Sequence, residues 1–341
     1  MRKTLLYVAS AAALAAVAVP TAAQDKPVEL RFAHWVPTAH PMHAAAVAWA
    51  DSINKASNGT IKVTIFPAQQ LGRAFDHYNM ARDGIADISH VNPGYEPGRF
   101  PIVAAVELPF IFSNSKQGSA ALDSWYRRYA EREMKDVRFC LAFAHDPGTF
   151  HFVSKKVASP TDMNGVKFRP PNAVIANWLR TLGALNIQAA APEIRDVLEK
   201  GVADGAGSPW GSIGLFGIDK VTKYHIDAPI YVSEQLWVLN KAKYDSLSPA
   251  QKKVMDEHCS SDAALKIATP WADFESGGKA KLKAMPDHEV YALTPEQLAA
   301  WRKSAEPAVA NWEADVKKAG HDPKAILDDL KKTVAQYNSA Y

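Results

Sequence analysis

Apolar and polar positions alternate along this chain at two different periods, and the switches between them outline its elements. Val28, Leu30 and Phe32 recur at period two and predict a strand over 28–33. Met42, Ala45, Ala46, Trp49 and Ile53 then recur at three- and four-residue spacing, which predicts a helix opened by Pro41 and stopped by Asn58-Gly59. Period two returns over 61–66, ends at Pro67, and is followed by a short helix that stops at Gly84 and a strand starting at Ile85. The second half repeats this order: strand 166–169, helix 173–182, strand 185–189, helix 194–200 stopped by Gly201, and a strand beginning near Val202. The stretch Ala81-Arg82-Asp83-Gly84-Ile85-Ala86-Asp87 aligns with Leu198-Glu199-Lys200-Gly201-Val202-Ala203-Asp204 at the same step of the same series. Each is a helix end, a Gly suited to a left-handed cap, and an apolar residue followed by Ala-Asp.

Two similar α/β lobes follow from that echo, with a helical C-terminal region. Leu236-Trp237-Val238-Leu239-Asn240 reads as a strand returning the chain to the first lobe, so lobe I is expected to hold 24–146 and 235–274, and lobe II 147–234 and 275–341. Ser248-Pro249-Ala250-Gln251 and Thr294-Pro295-Glu296-Gln297 are capping boxes, and Asp322-Pro323 is a simpler helix start. The extended crossings near 144–149 and 232–236 should act as hinges that let the lobes open and close.

Composition refines this outline. Arg2 and Lys3, the apolar run 5–19 and the small residues Thr21-Ala22-Ala23 predict a secretory signal peptide over 1–23, so the mature chain is expected in the periplasm. Without Arg2 and Lys3 the formal charge of +3 falls to +1, too little for a nucleic acid or an anionic membrane surface as partner. Cys140 lies in a strand-like run and Cys259 in a helical one. They read as buried free thiols rather than as a disulfide, which the oxidising compartment leaves as the other reading.

The candidate chemistry centres on Gly165-Val166-Lys167-Phe168-Arg169-Pro170-Pro171. Here a strand carries a guanidinium at its C-terminal end and is stopped by prolines. Ligands of open α/β sheets sit outside the carboxyl ends of strands, where a planar fork of donors suits a carboxylate; by itself the run also fits a solvated Arg. Other clusters are weaker. His34, His40 and His43 lack a completing thiol or carboxylate, so no metal is expected, and no cofactor motif occurs. Gly205-Ala206-Gly207-Ser208-Pro209-Trp210-Gly211 misses the spacing of phosphate loops and nucleophile elbows, yet supplies a hydroxyl and an aromatic after a strand. His145-Asp146 could form a dyad but has no activated nucleophile beside it, so a hydrolase or lyase acting on a small acid is the rival reading.

Phe32-Ala33-His34 with His40-Pro41, Asn58-Gly59, Phe66-Pro67 with Gln70-Leu71-Gly72, Gly84 with Asp87, and Leu108-Pro109-Phe110 occur in one order. Asp162 with Gly165-Val166-Lys167-Phe168-Arg169, Leu198 with Gly201-Val202-Ala203-Asp204-Gly205, and Leu239-Asn240 complete the series. In this order the chain resembles the DctP-type solute-binding proteins of TRAP (tripartite ATP-independent periplasmic) transporters. The resemblance implies a two-lobed, class II-like binding protein without catalytic activity. It would close on an organic acid through Arg169 and deliver it to the TRAP membrane subunits; a monomer is expected. Resemblance and position at loop ends add His34, Trp35, Asn92, Tyr95, His145, Phe150, Ser208, Trp210 and Gln235 to the ligand site. Where acid-sugar-binding members carry Gly-Thr-Arg, this chain has Gly148-Thr149-Phe150, and where they often carry Asn before Pro it has Ser208-Pro209. One firm cation, with Trp35, Tyr95, Phe150, Trp210 and Trp237 expected near the cleft mouth, points to an aromatic or similarly apolar monocarboxylate.

Overall fold

A computed structural model describes residues 25–341; the expected signal peptide lies outside them. Among the described residues eleven strands occur in chain order: β1 (Val28–Ala33), β2 (Ile61–Phe66), β3 (Ile88–Val91), β4 (Val137–Ala144), β5 (Thr149–Phe152), β6 (Lys167–Arg169), β7 (Leu185–Asn186), β8 (Gly205–Ser208), β9 (Tyr224–Ile226), β10 (Glu234–Asn240) and β11 (Glu289–Tyr291). They form two mixed sheets, ordered β2-β1-β3-β10-β4 and β11-β9-β5-β8-β6-β7. In the first sheet β1 runs parallel to β2 and β3, and in the second β6 runs parallel to β7 and β8. Helices flank both sheets, so the α/β two-lobed reading holds.

The repeated heptapeptide has one set of hydrogen bonds in both lobes. Ile85 and Val202 each donate their backbone N–H at 2.9 Å to the last helical turn, to the carbonyls of Met80 and Val197, past the left-handed Gly84 and Gly201. Asp87 and Asp204 each accept from the backbone N–H of the strand beside them, Arg31 at 2.8 Å and Lys167 at 2.9 Å. Arg31 and Lys167 in turn donate to the carbonyls of Gly84 and Gly201. This geometry corrects the expected strand starts. The segment after each Gly is a cap that uses its N–H groups on the helix, so β3 begins at Ile88 and β8 at Gly205, while Ile85 and Val202 stay exposed. The strand expected over 185–189 is likewise only Leu185–Asn186, because the chain beyond turns toward Arg169.

Two crossings join the lobes. The chain leaves β4 for β5 through Gly148 and returns from β9 to β10 through Tyr231. These two residues form an antiparallel bridge, with Gly148 N–H donating to the Tyr231 carbonyl at 2.8 Å. Any side chain at 148 would collide with the Tyr231 ring, its Cβ lying 2.7 Å from Cζ. The returning β10 inserts antiparallel between β3 and β4, as the apolar run over 236–240 leads one to expect.

Ser248 and Thr294 close their capping boxes with Gln251 and Gln297, and Asp322 caps the helix Pro323–Gln336. That last helix packs on Lys116–Tyr126, behind the first sheet, whereas Glu306–Lys318 packs on Ala173–Thr181 beside the second. Cys140 and Cys259 are bonded to each other, with Cα atoms 4.5 Å apart, which corrects the free-thiol reading. β4 turns Cys140 toward the end of the helix Pro249–His258, a contact that spans 119 residues and that neither local pattern contains. In the chain-entropy account a loop of that size is worth about 4 to 5 kcal/mol.

Candidate functional site

Between the lobes, at the C-terminal ends of β1, β3, β6 and β8, lies a cleft partly open to solvent. β10 runs the other way, so its beginning reaches the same edge. Seven of the expected residues line it: Trp35 after β1, Asn92 and Tyr95 after β3, His145 in the first crossing, Arg169 ending β6, Ser208 ending β8, and Gln235 in β10. The loop that presents Asn92 and Tyr95 is set locally. Asn92 Oδ1 accepts from Gly94 N–H at 3.0 Å and caps the short turn Pro93–Tyr95.

Arg169 is 2% exposed and makes no ion pair among the described residues. Its Nε donates to the Ala189 carbonyl at 2.8 Å, Nη1 to the Gly207 carbonyl at 3.3 Å, and Nη2 to the Tyr95 hydroxyl at 3.3 Å. Three of five N–H groups are thereby held and two remain on the terminal nitrogens, the arrangement a bidentate carboxylate requires. Tyr95 Oη also accepts from Ala191 N–H at 3.0 Å, which leaves its own proton free and ties the first-lobe loop to the second lobe.

The histidines of the cleft add no charge. His145 donates from Nδ1 to the Asp146 carbonyl at 2.7 Å and accepts at Nε2 from Ser233 N–H at 3.0 Å, so both nitrogens are committed. Burial, with a contribution from the nearby Arg169, pushes its pKa down to about 4. The Asp146 carboxylate turns instead to Ser115 N–H, so the two neighbours form no dyad. His40 accepts from Met42 N–H at the helix start, and burial beside His34 and His145 lowers its pKa to about 3.

Four expected residues lie elsewhere. Phe150 is fully buried among Phe168, Trp178 and Trp301 in the second-lobe core, because β5 turns that face inward. His34 is buried one layer back, hydrogen-bonded to His43 at 2.9 Å. Trp210 turns from the cleft edge to pack on His151, and Trp237 lies between Phe32, Trp49 and Phe143 in the first-lobe core. The apolar lining comes in part from residues that the sequence reading passed over: Tyr231, Trp271 and Phe216, with His40 beside them. Tyr231 sits on the second crossing, where position could have found it; Trp271 is one apolar position of a long helix and carries no such signal. Behind these side chains the Glu275 carboxylate accepts from Trp271 Nε1 at 2.7 Å and from Ser212 N–H at 2.9 Å, joining the helix Ser261–Ser276 to the start of Trp210–Leu215.

Residues 32–315 match the family model of DctP, bacterial extracellular solute-binding protein, family 7. A marine metagenome TRAP solute-binding protein specific for aromatic acid ligands, solved with metahydroxyphenylacetate, superposes with a TM-score of 0.84 at 33% identity, over 91% of this chain and 99% of its own. A TRAP solute-binding protein from Rhodoferax ferrireducens T118, solved with copurified benzoate, superposes with a TM-score of 0.85 at 27% identity, over 91% and 98%. The 2,3-diketo-L-gulonate-binding periplasmic protein YiaO of Escherichia coli K12 is 24% identical over 256 residues, 72% of this chain and 75% of its own.

Proposed function

The chain belongs to the DctP family of bacterial extracellular solute-binding proteins, the receptors of TRAP transporters, and from that premise we propose that its cleft closes on an aromatic or similarly apolar monocarboxylate. The acid is handed to the TRAP membrane subunits, which supply the transport step. Arg169 carries the reading: a buried guanidinium with two N–H groups unspent, facing a cleft that holds no second cation among the described residues. One fork satisfies one carboxylate. A dicarboxylate would bury its second charge against neutral histidines and apolar rings, at a cost of several kcal/mol.

Around that single charge stand the rings of Trp35, Tyr95, Tyr231, Trp271 and Phe216. An aryl group held between two such rings gains about 0.5 to 1.5 kcal/mol per pair beyond its buried area. The metagenome and Rhodoferax proteins, which resemble this chain over nearly their full length, were solved with aryl monocarboxylates. The sugar-acid binder YiaO, by contrast, is the more distant of the three. In this reading the lobes are 24–146 with 235–274 and 147–234 with 275–341, save that the last helix, Pro323–Gln336, packs on the first lobe, and the hinges are the Gly148 and Tyr231 crossings.

Calorimetric titration with benzoate and phenylacetate against succinate, malate and a sugar acid tests the ligand class. The aryl acids are expected to bind at least about tenfold more tightly. Tighter binding of the dicarboxylates would overturn the ligand class and leave the receptor membership standing.

A further inference from the structure

We propose that the Tyr95 hydroxyl is a latch between the lobes, one that holds the cleft shut by bonding the same guanidinium that takes the ligand's carboxylate. The inference deepens the reading above: it rests on Arg169 as the partner of the carboxylate and not on the aryl nature of the acid. Two hydrogen bonds meet at one oxygen. Tyr95 Oη accepts from Arg169 Nη2 at 3.3 Å and from Ala191 N–H at 3.0 Å. Tyr95 stands in the loop after β3, in the first lobe, whereas both donors belong to the second. Parting the lobes at this edge breaks both bonds at once.

Each side of the latch is held by its own local structure. In the first lobe Asn92 caps the turn Pro93–Tyr95, and the Tyr95 ring lies against Phe75 and Trp35 at centroid distances of 4.9 and 6.1 Å. In the second lobe one short segment serves both partners. The Ala189 carbonyl accepts from Arg169 Nε at 2.8 Å, and two residues later the Ala191 N–H meets Tyr95. Glu193 steadies that segment: Oε2 accepts from Ala190 N–H at 2.9 Å, and Oε1 pairs with Arg73 of the first lobe at 3.2 Å. The Arg73 side chain is 68% exposed, so this ion pair adds little by itself; Tyr95 is 7% exposed, and its bonds are sheltered from water.

The place of Tyr95 gives the latch its effect. Tyr95 and Pro171 line the ligand cleft and also a second cavity, partly open to solvent, whose other walls include Phe75, Pro97, Asn186 and Gln188. Tyr95 therefore stands in the partition between the two, and its release opens a way out for the ligand. Electrostatics makes the latch conditional on the acid. Closing over an empty cleft buries the Arg169 charge against neutral oxygens alone, which opposes closure. A bound carboxylate is the missing counter-ion, and the N–H given to Tyr95 then becomes a charge-assisted bond without that penalty. Because these bonds exist only in the closed form, they slow the escape of the ligand and leave its arrival unchanged.

Stopped-flow binding of phenylacetate to the wild type and to Tyr95→Phe, which keeps the ring and removes the oxygen, tests the latch. Dissociation is expected to quicken about tenfold or more, with association within about twofold. Losing a direct contact with the ligand would also quicken dissociation, so hydrogen exchange at the Ala191 amide separates the two. In the wild type that amide should exchange at least about tenfold more slowly with phenylacetate bound than without it, and in saturated Tyr95→Phe it should exchange as in the ligand-free wild type. Dissociation at the wild-type rate in Tyr95→Phe, an Ala191 amide indifferent to ligand, or protection that survives the loss of the hydroxyl would each overturn the inference. If phenylacetate does not bind but succinate or a sugar acid does, the aryl reading falls and the same measurements with that acid still decide the latch; if none binds, both fall. Where Tyr95→Phe fails to fold, ligand-dependent exchange at Ala191 in the wild type is decisive.

Discussion

Arg169 is a cation in the interior held by neutral oxygens alone, those of Ala189, Gly207 and Tyr95. Carbonyl dipoles keep the guanidinium oriented but leave its charge uncompensated, so the missing counter-ion is what the cleft attracts. Arg169→Ala is expected to weaken acid binding by about 2 to 5 kcal/mol. Arg169→Lys should not restore it, because an ammonium cannot make two parallel bonds in the plane of a carboxylate. Calorimetry on both variants checks this, and wild-type affinity in Arg169→Lys would mean that charge alone, not the fork, binds the ligand. The position of Arg169 at the cleft was legible only from the strand end together with the family resemblance, since the run by itself fits a solvated Arg equally well. Phe150 was not: period two says that a strand has two faces but not which one meets the cleft, and β5 is buried on both.

At the scale of elements the two crossings matter most, because they touch. The Gly148–Tyr231 bridge binds one crossing to the other, and the Tyr231 ring, which lines the cleft, lies over the space where a Cβ of residue 148 would be. Gly148→Ala must push that ring aside, with an expected loss of about 1 to 3 kcal/mol in urea unfolding and weaker acid binding. An unaltered midpoint and affinity would mean that the crossing yields freely. Helix starts were plain in the chain, since Ser248, Thr294 and Asp322 satisfy their helices through neighbours three residues away or fewer. The Cys140–Cys259 bond was not, because its partners belong to elements whose approach depends on how a helix lies on a sheet.

For the whole molecule, buried ionisable groups set opposing pH dependences. Glu107 and Glu234 are wholly buried near one another at the base of the second crossing, and Gly94 of the ligand loop abuts Glu107. Burial raises Glu234 to about 8 and Glu133 to about 7, and burial together with Glu234 holds Glu107 well above the ordinary 4.5. The folded chain therefore keeps protons that the unfolded chain releases above pH 4.5. This contribution is complete below 4.5 and is lost as pH rises toward 8. His34, His40, His77, His145 and His225 are lowered to about 3 to 4, mainly by burial, so their contribution is complete above 6.5 and is lost as pH falls. The two sets oppose each other between 4.5 and 6.5, where the histidines are more numerous, and above 6.5 the glutamates act alone. The melting temperature should therefore peak near pH 6.5, and Glu234→Gln should flatten the alkaline side and steepen the acid side between 4.5 and 6.5, where one group fewer opposes the histidines. A wild-type melting temperature constant from pH 6.5 to 8 would show that the glutamates are already ionised.

The sequence by itself determined what local chemistry can decide. It contained the alternation of strand and helix, the caps, the repeated Gly-apolar-Ala-Asp turn in each lobe, and the guanidinium at the end of β6. Each of these is fixed by atoms within a few residues along the chain, or by a periodicity that survives any packing. Only the tertiary structure decided that Trp35, Tyr95, Tyr231, Trp271 and Gln235 share one cleft, that Phe150 and Trp237 belong to the two cores, and that Cys140 meets Cys259. Those outcomes depend on which face of an element turns toward which neighbour, and that choice comes from burying the largest apolar area of the whole chain at once, a quantity that no short stretch of sequence contains.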